Sequence, residues 1–245
     1  MALLLKSGAV FIHIPKTGGN WVTSILTKMG VVDREVGDKH SDFARTYHAL
    51  HQLENHSWVE RLKGAKVTLQ APRDTFYFSF VRNPLKWYES WFKYMNQASR
   101  SWCDWGTRGN PSDWHPNSPL NGTGSIDFSE FLGRALSTRY GFVTEMFFAA
   151  TPEYVNFVGR QENIRADLIE ALTLANENFD EALIMESAPV GVSKPEKIIK
   201  PVWSYQDALK VAQAEWAAIQ RFQYSEVDKS PHDFTVDFVD QNHQV

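Results

Sequence analysis

Residues 16 to 20 read Lys-Thr-Gly-Gly-Asn and follow directly on an apolar run, Val10-Phe11-Ile12-His13-Ile14-Pro15. A cation, a hydroxyl and two glycines are set where a buried strand gives way to a helix. The helix is expected because Val22, Ile25, Leu26 and Met29 share one face at helical spacing. Glycine permits positive φ and lets an anion come close to the backbone. A helix start adds unpaired N–H donors and a partial positive charge. Together Lys16, Thr17, Gly18, Gly19 and Asn20 make a phosphate cradle. The plain alternative is a strand–turn–helix corner whose glycines only satisfy geometry.

The cradle differs from that of metal-dependent triphosphate enzymes, which needs G-x-x-x-x-G-K-[ST] with a magnesium-binding hydroxyl after the lysine. Here Lys16 precedes both glycines, and Gly19 is followed by Asn20 and Trp21, which disfavours a kinase or ATPase. A second anion site stands in residues 75 to 95. Phe76, Phe78, Phe80 and Val81 predict a strand, Arg82 stands at its end, and Pro84 suits the first turn of a helix. Ser90 falls two turns into that helix, so Arg82 and Ser90 can converge on one anion. A guanidinium offers a planar donor fork to phosphate oxygens. Each hydrogen bond to a charged group contributes roughly 1.5–3 kcal/mol, enough to select a phosphate over a hydroxyl. The plain alternative is a helix-capping arginine and a core serine.

Two anion sites at strand ends imply a ligand with two separated phosphates. The run His13-Ile-Pro-Lys-Thr-Gly-Gly resembles the 5′-phosphosulfate loop of the PAPS-dependent sulfotransferases, particularly their carbohydrate-type and bacterial branch. Arg82-Asn83-Pro84 followed by Ser90 is similar to that family's 3′-phosphate site, and Val158-Gly-Arg-Gln-Glu-Asn is similar to a later Gly-Arg-x-Glu-Asn segment. The resemblance implies a P-loop-like, three-layer α/β sandwich with a central, mostly parallel sheet. It implies PAPS (3′-phosphoadenosine 5′-phosphosulfate) as donor, adenosine 3′,5′-bisphosphate as product and no metal. The cofactor set is then Lys16, Thr17, Gly18, Gly19, Asn20, Trp21, Arg82, Ser90 and Arg160. Arg160 and Glu162 also admit a purely structural reading, as an ion pair. The family's cytosolic branch has a basic-glycine motif over the nucleotide, which this chain lacks; Lys194, Lys197 and Lys200 are the residues that could serve there.

Sulfuryl transfer needs the acceptor to lose a proton while the leaving 5′-phosphate gains charge. Lys16 is placed to neutralise that charge, and preorganised backbone donors often supply the largest catalytic contribution. The family's base, a histidine or carboxylate, comes from the segment between the two phosphate motifs. That segment offers His40, His48, His51 and His56, with His40 and His48 as equal candidates. A positioned histidine contributes roughly 10²–10⁴-fold. His13 belongs to the strand and reads as structural, and His48 with His51 lacks a third residue to make a metal site. The acceptor stays open between a small molecule, a glycan, a lipid and a peptide tyrosine. A phosphotransferase using the same cradles, and a non-catalytic adenosine 3′,5′-bisphosphate-binding module, are the competing readings.

The elements that must position these residues alternate. Beyond the strands at 10–14 and 76–81, short strands are expected at 66–69 and 154–158. Helices are expected at 85–98, at 127–138 with Asp127 as cap, at 164–176 and at 204–224. The last has Ala208, Val211, Ala212, Trp216, Ile219 and Phe222 as its inner face. Such alternation argues for a sheet covered on both sides, with ligands at the carboxyl ends of its strands. The stripe Trp87, Trp91, Tyr94 reads as core. Residues 99–126 break the rhythm with Trp102, Trp105 and Trp114, and read as a lid or acceptor-side loop, or else as a surface excursion anchored by its tryptophans.

At 245 residues and 43% hydrophobic content, the chain suits one globular domain spanning 1–245. A net charge of −4 provides no basic field for nucleic acid, so anion binding must be local. The lone Cys103 excludes an intramolecular disulfide and a cysteine metal cluster. Residues 1–5 are apolar but far short of the roughly 20 needed to span a membrane. The expectation is a cytoplasmic protein without a membrane span.

Overall fold

All side chains of Val10–Ile12 and Tyr77–Val81 are buried, as strands covered on both faces require. The protein is described by a computed structural model covering residues 2–52, 75–96, 115–190 and 199–224. Its sheet contains β1 (Ala2–Leu5), β2 (Val10–Ile12), β3 (Val32–Val36), β4 (Tyr77–Val81) and β5 (Phe157–Arg160), in the order β3-β1-β2-β4-β5. β2 pairs with β4 and β4 with β5 in parallel, while β1 runs antiparallel to both its neighbours. The sheet is therefore mixed, with only β1 reversed. Ile12 lies opposite Ser79 and Val81 opposite Arg160, so the carboxyl ends of β2, β4 and β5 stand side by side.

Helices cover both faces: α1 (Gly19–Lys28), α2 (Phe43–Gln52), α3 (Pro84–Met95), α4 (Phe128–Thr138), α5 (Phe142–Ala150), α6 (Ile164–Leu174), α7 (Glu181–Glu186), α8 (Tyr205–Ala214) and α9 (Trp216–Arg221). Strand alternation divides the core in two. Phe11, Phe78 and Phe80 pack with Val22 and Ile25 of α1 and Leu168 and Leu172 of α6. Val10, Ile12, Tyr77 and Val81 face α2, α3, α4 and α5 on the other side. This is an α/β architecture with a mostly parallel central sheet between helices.

Several elements form where the sequence places them, for visible reasons. Asn83 caps α3 by accepting from Leu85 N and Lys86 N, with Pro84 in the first turn. Asp127 caps α4 by accepting from Glu130 N, and Ser204 caps α8 by accepting from Asp207 N. Trp87 and Trp91 are buried, in keeping with a core role.

Other expectations need correction. The strand expected at 154–158 begins only at Phe157, because Val155 N turns back to Pro152 O, while Asn156 exchanges hydrogen bonds with Tyr77 before the ladder starts. The helix expected at 204–224 is two helices broken at Glu215. The Glu215 carboxylate is drawn to the start of α5, where it accepts from Val143 N, Thr144 N, Thr144 Oγ1 and the Tyr88 hydroxyl. Gly141, the residue before α5, has no side chain to cap it, so Glu215 does so from across the fold. The break turns Trp216 outward, 60% exposed, instead of into the core. β1, α5 and α7 have no counterpart among the expected elements. β3, just before His40, is an edge strand with Asp33, Arg34 and Glu35 exposed, a composition that protects the edge. The strand expected at 66–69 lies outside the described residues.

Candidate functional site

The bend after β2 is shaped by contacts that leave little choice of residue. Lys16 has φ 65° and Gly18 φ 87°, both in the left-handed region. A Cβ on Gly18 would sit 2.4 Å from Ile164 Cδ1, and one on Gly19 would sit 2.0 Å from His13 Cδ2. The glycines are needed for packing as well as for the turn. Thr17 is buried and donates from Oγ1 to Ile14 O at 3.0 Å, so its hydroxyl closes the bend from inside. Gly18 offers no side-chain cap to α1, whose Trp21 N and Val22 N donate to Gly18 O at 2.9 and 3.3 Å, and Asn20 beside them is exposed. Trp21 is buried against Arg165, whose guanidinium lies 5.5 Å from its ring centre.

Arg82, at the end of β4, donates from Nη1 to Lys16 O at 3.3 Å, so the two candidate anion grips adjoin. Burial lowers its pKa, opposed by the charges of Glu162 and Glu89. Its Nε is buried and meets no hydrogen-bond partner among the described residues. Trp87 Nε1 of α3 donates to Pro15 O at 2.9 Å, and Lys16 Nζ lies 4.1 Å over the Tyr94 ring. Ser90 stands between Trp87 and Tyr94 on the same helical stripe, which carries it along the face turned to the loop.

Arg160, at the end of β5, is half-buried, and its N–H donates to Asp167 Oδ2 at 2.5 Å. Glu162 does not pair with it: its carboxylate accepts from Asn83 N at 2.9 Å and the Tyr224 hydroxyl at 3.2 Å, tying the Arg82–Pro84 corner to the last described residue. Lys200 is exposed, and Lys194 and Lys197 lie outside the described residues.

The two candidate bases part company. His48 lies on the exposed side of α2. His40, also in the left-handed region at φ 68°, follows β3 and leans against the strand end, its ring centre 4.6 Å from that of His13. Its Nδ1 is 3.2 Å from His13 O. A carbonyl only accepts, so Nδ1 carries the proton of the neutral ring and Nε2 keeps its lone pair. Burial, reinforced by nearby His115, lowers His40 to about 3.

His115 was missed in the sequence, where the tryptophans before it drew the reading toward stacking. Its ring centre is 5.3 Å from that of His40, and its Nδ1 accepts from Asn117 N at 3.1 Å. Its neutral form is therefore protonated at Nε2, the opposite tautomer to His40. Burial lowers His115 to about 4. The two histidines line a cavity of about 380 Å³ that also touches Ile14 and Pro15. Residues 115–120 of the stretch expected to form a lid include wall residues of this cavity; residues 99–114 lie outside the described residues.

No group of three or more metal-binding side chains occurs among the described residues, and no described helix is long and apolar enough to cross a membrane. A family model described as the sulfotransferase family matches residues 6–227. Comparison with curated proteins and with solved structures gave no match.

Proposed function

Since the chain belongs to the sulfotransferase family, we propose that it moves a sulfuryl group from PAPS to a hydroxyl or amine acceptor, without a metal, from one P-loop-like domain. When bound, PAPS supplies the sulfuryl group and departs as adenosine 3′,5′-bisphosphate. The observation that carries this reading is the hydrogen bond from Arg82 to the Lys16 carbonyl, which sets a phosphate-binding bend and a guanidinium side by side at one sheet edge.

The residues fit a doubly phosphorylated nucleotide. The bend has no room for a Cβ at Gly18 or Gly19, and the buried Nε of Arg82 has no protein partner among the described residues. In this reading the N–H groups of Gly18, Gly19 and Asn20 hold the 5′-phosphate, and Thr17 fixes the bend. Arg82, Ser90 and Arg160 serve the 3′-phosphate. Trp21, next to the loop, contributes to the nucleotide's base side. Lys16 compensates the charge that develops on the leaving phosphate. His40 takes the acceptor's proton at Nε2 while Nδ1 stays bonded to His13 O. His48 is set aside because its ring is turned to solvent. A cytoplasmic setting belongs to the same reading.

Thermal shift with adenosine 3′,5′-bisphosphate, ATP, and ATP with Mg²⁺ tests the donor. Stabilisation by the bisphosphate without metal is expected. Stabilisation only by ATP with Mg²⁺ would favour a phosphotransferase. Bisphosphate binding without transfer from labelled PAPS to any acceptor would leave a binding module.

A further inference from the structure

We propose that Tyr94 is the positioning residue for Lys16: the face of its ring holds the ammonium where the two phosphate grips meet and leaves the charge uncompensated for the leaving group. This inference rests on the donor reading above and adds a residue that stands outside both grips.

The bend creates the need for such a residue. The Lys16 backbone is fixed, with φ at 65° and its carbonyl accepting from Arg82 Nη1 at 3.3 Å. Its ammonium is carried on a flexible four-carbon stem, whose rotations scatter the charge unless something meets the tip. Lys16 Nζ lies 4.1 Å from the centre of the Tyr94 ring, well inside the roughly 6 Å over which a cation is drawn to an aromatic face.

The ring is itself held. Tyr94 stacks on Trp91 with centres 5.6 Å apart and planes 30° apart, and Trp91 stacks on Trp87 at 5.8 Å and 15°. Trp87 Nε1 donates to Pro15 O at 2.9 Å. The aromatic stack thus starts from the bend at Pro15, follows α3 and meets the bend again at Lys16. Trp87 and Trp91 are buried, whereas Tyr94 is half-buried, so the last ring of the stripe reaches beyond the core. Ser90 lies one turn before Tyr94 on the same face of α3, which sets the ammonium beside the helix proposed to serve the 3′-phosphate.

A ring suits this task better than a carboxylate. A carboxylate would fix the ammonium but cancel its charge, and the transition state would have to compete with that pair. A π face attracts the cation through its quadrupole and carries no net charge, so the ammonium keeps its pull on a developing anion. In the transfer the acceptor atom bonds to sulfur as its proton passes to His40 Nε2 and on to solvent. The bond from sulfur to the bridging oxygen breaks, and its electron pair goes to the 5′-phosphate, where Lys16 meets it. Tyr94 gives up no proton in this sequence, so its hydroxyl is dispensable and its ring is not.

Two measurements test this, the first without nucleotide. In protein carrying ¹³C at the lysine ε carbon, the Lys16 signal is assigned by its loss in Lys16→Ala. Ring current should shift it upfield in the native protein and in Tyr94→Phe, and Tyr94→Leu should return it to the ordinary lysine position. The second is single-turnover transfer of label from PAPS, with water and with a small-molecule cell extract as acceptors, beside calorimetry with adenosine 3′,5′-bisphosphate. Tyr94→Leu should slow transfer by about five- to thirtyfold, the span of a half-buried cation–π contact, and Tyr94→Phe should restore it. Bisphosphate affinity should be the same in all three proteins. If Tyr94→Leu does not fold, Tyr94→Met takes its place in both measurements. Bisphosphate binding with a Lys16 signal that ignores the loss of the ring overturns the inference and leaves the donor reading standing. So does transfer that Tyr94→Leu leaves unchanged, or that Tyr94→Phe slows as much. Bisphosphate binding with no transfer by the native protein leaves a binding module and overturns the inference; absence of bisphosphate binding overturns both readings.

Discussion

Arg82 Nη1 donates to the backbone carbonyl of Lys16 at 3.3 Å, joining the end of β4 to the bend that follows β2. The arginine thus has two tasks in our reading, gripping a 3′-phosphate and steadying the loop. Arg82→Ala should weaken adenosine 3′,5′-bisphosphate binding by roughly 10- to 100-fold, the range expected for charged hydrogen bonds. Adenosine 5′-monophosphate should lose only a few-fold, from the loosened loop. Calorimetry with both nucleotides decides, and equal losses would count against the 3′-phosphate assignment.

Lys16 Nζ lies over the Tyr94 ring at 4.1 Å. Its proposed work is in the transition state, so Lys16→Ala should lower kcat by roughly 100-fold or more, as loss of an electrostatic stabiliser does. Bisphosphate affinity should change little. Single-turnover transfer and calorimetry separate the two; affinity falling in step with rate would mean that the lysine serves binding instead.

Gly19 has His13 where a Cβ would stand, at 2.0 Å from Cδ2, and His13 is itself buried. Gly19→Ala should therefore destabilise the fold by about 3 kcal/mol, the upper part of the range for overpacking. Gly30 has nothing within 4 Å of such a Cβ but sits at φ 67°, so Gly30→Ala isolates backbone strain from collision. Thermal melts of both variants test the packing argument, which fails if the two melt alike.

The histidines set a pH dependence whose sign is fixed by burial. His40 is lowered to about 3 and His115 to about 4, against an ordinary value near 6.5 in the unfolded chain. His13 and Lys39 are the other titratable neighbours acting with them, and His13 is lowered as well. Between those values the unfolded chain binds more protons, so stability should rise with pH through this window. It should be lost progressively as pH falls from about 6.5 toward about 3. Melting temperatures taken across that range check this, with His40→Asn expected to flatten the curve. The same lowering predicts that kcat/KM stays level through the usual histidine range, since His40 is already neutral there. An acid limb centred near 6.5 would show that a different base is at work.

The local chemistry was readable along the chain because it depends on neighbours in sequence. Lys16 to Asn20 form a bend because glycines follow an apolar strand, and Asn83-Pro84, Asp127 and Ser204 start helices by bonding their own first turns. The adjacency of Lys16 and Arg82 was inferable in outline, since parallel strands end at one edge. Spacing could not choose between His40 and His48, because both lie in the same stretch and only packing turns one inward and the other to solvent. His115, which follows α3 in the chain, meets His40, and Glu215 breaks a helical pattern to cap α5 from across the fold. Sequence by itself determined the glycine bend after the first buried strand, the helix caps and the family; the tertiary structure alone decided which histidine faces the cavity and what walls it. The physical reason is that turns and caps are satisfied within a few residues, whereas burial, charge pairing and the tautomer of a ring depend on groups that only the folded chain brings together.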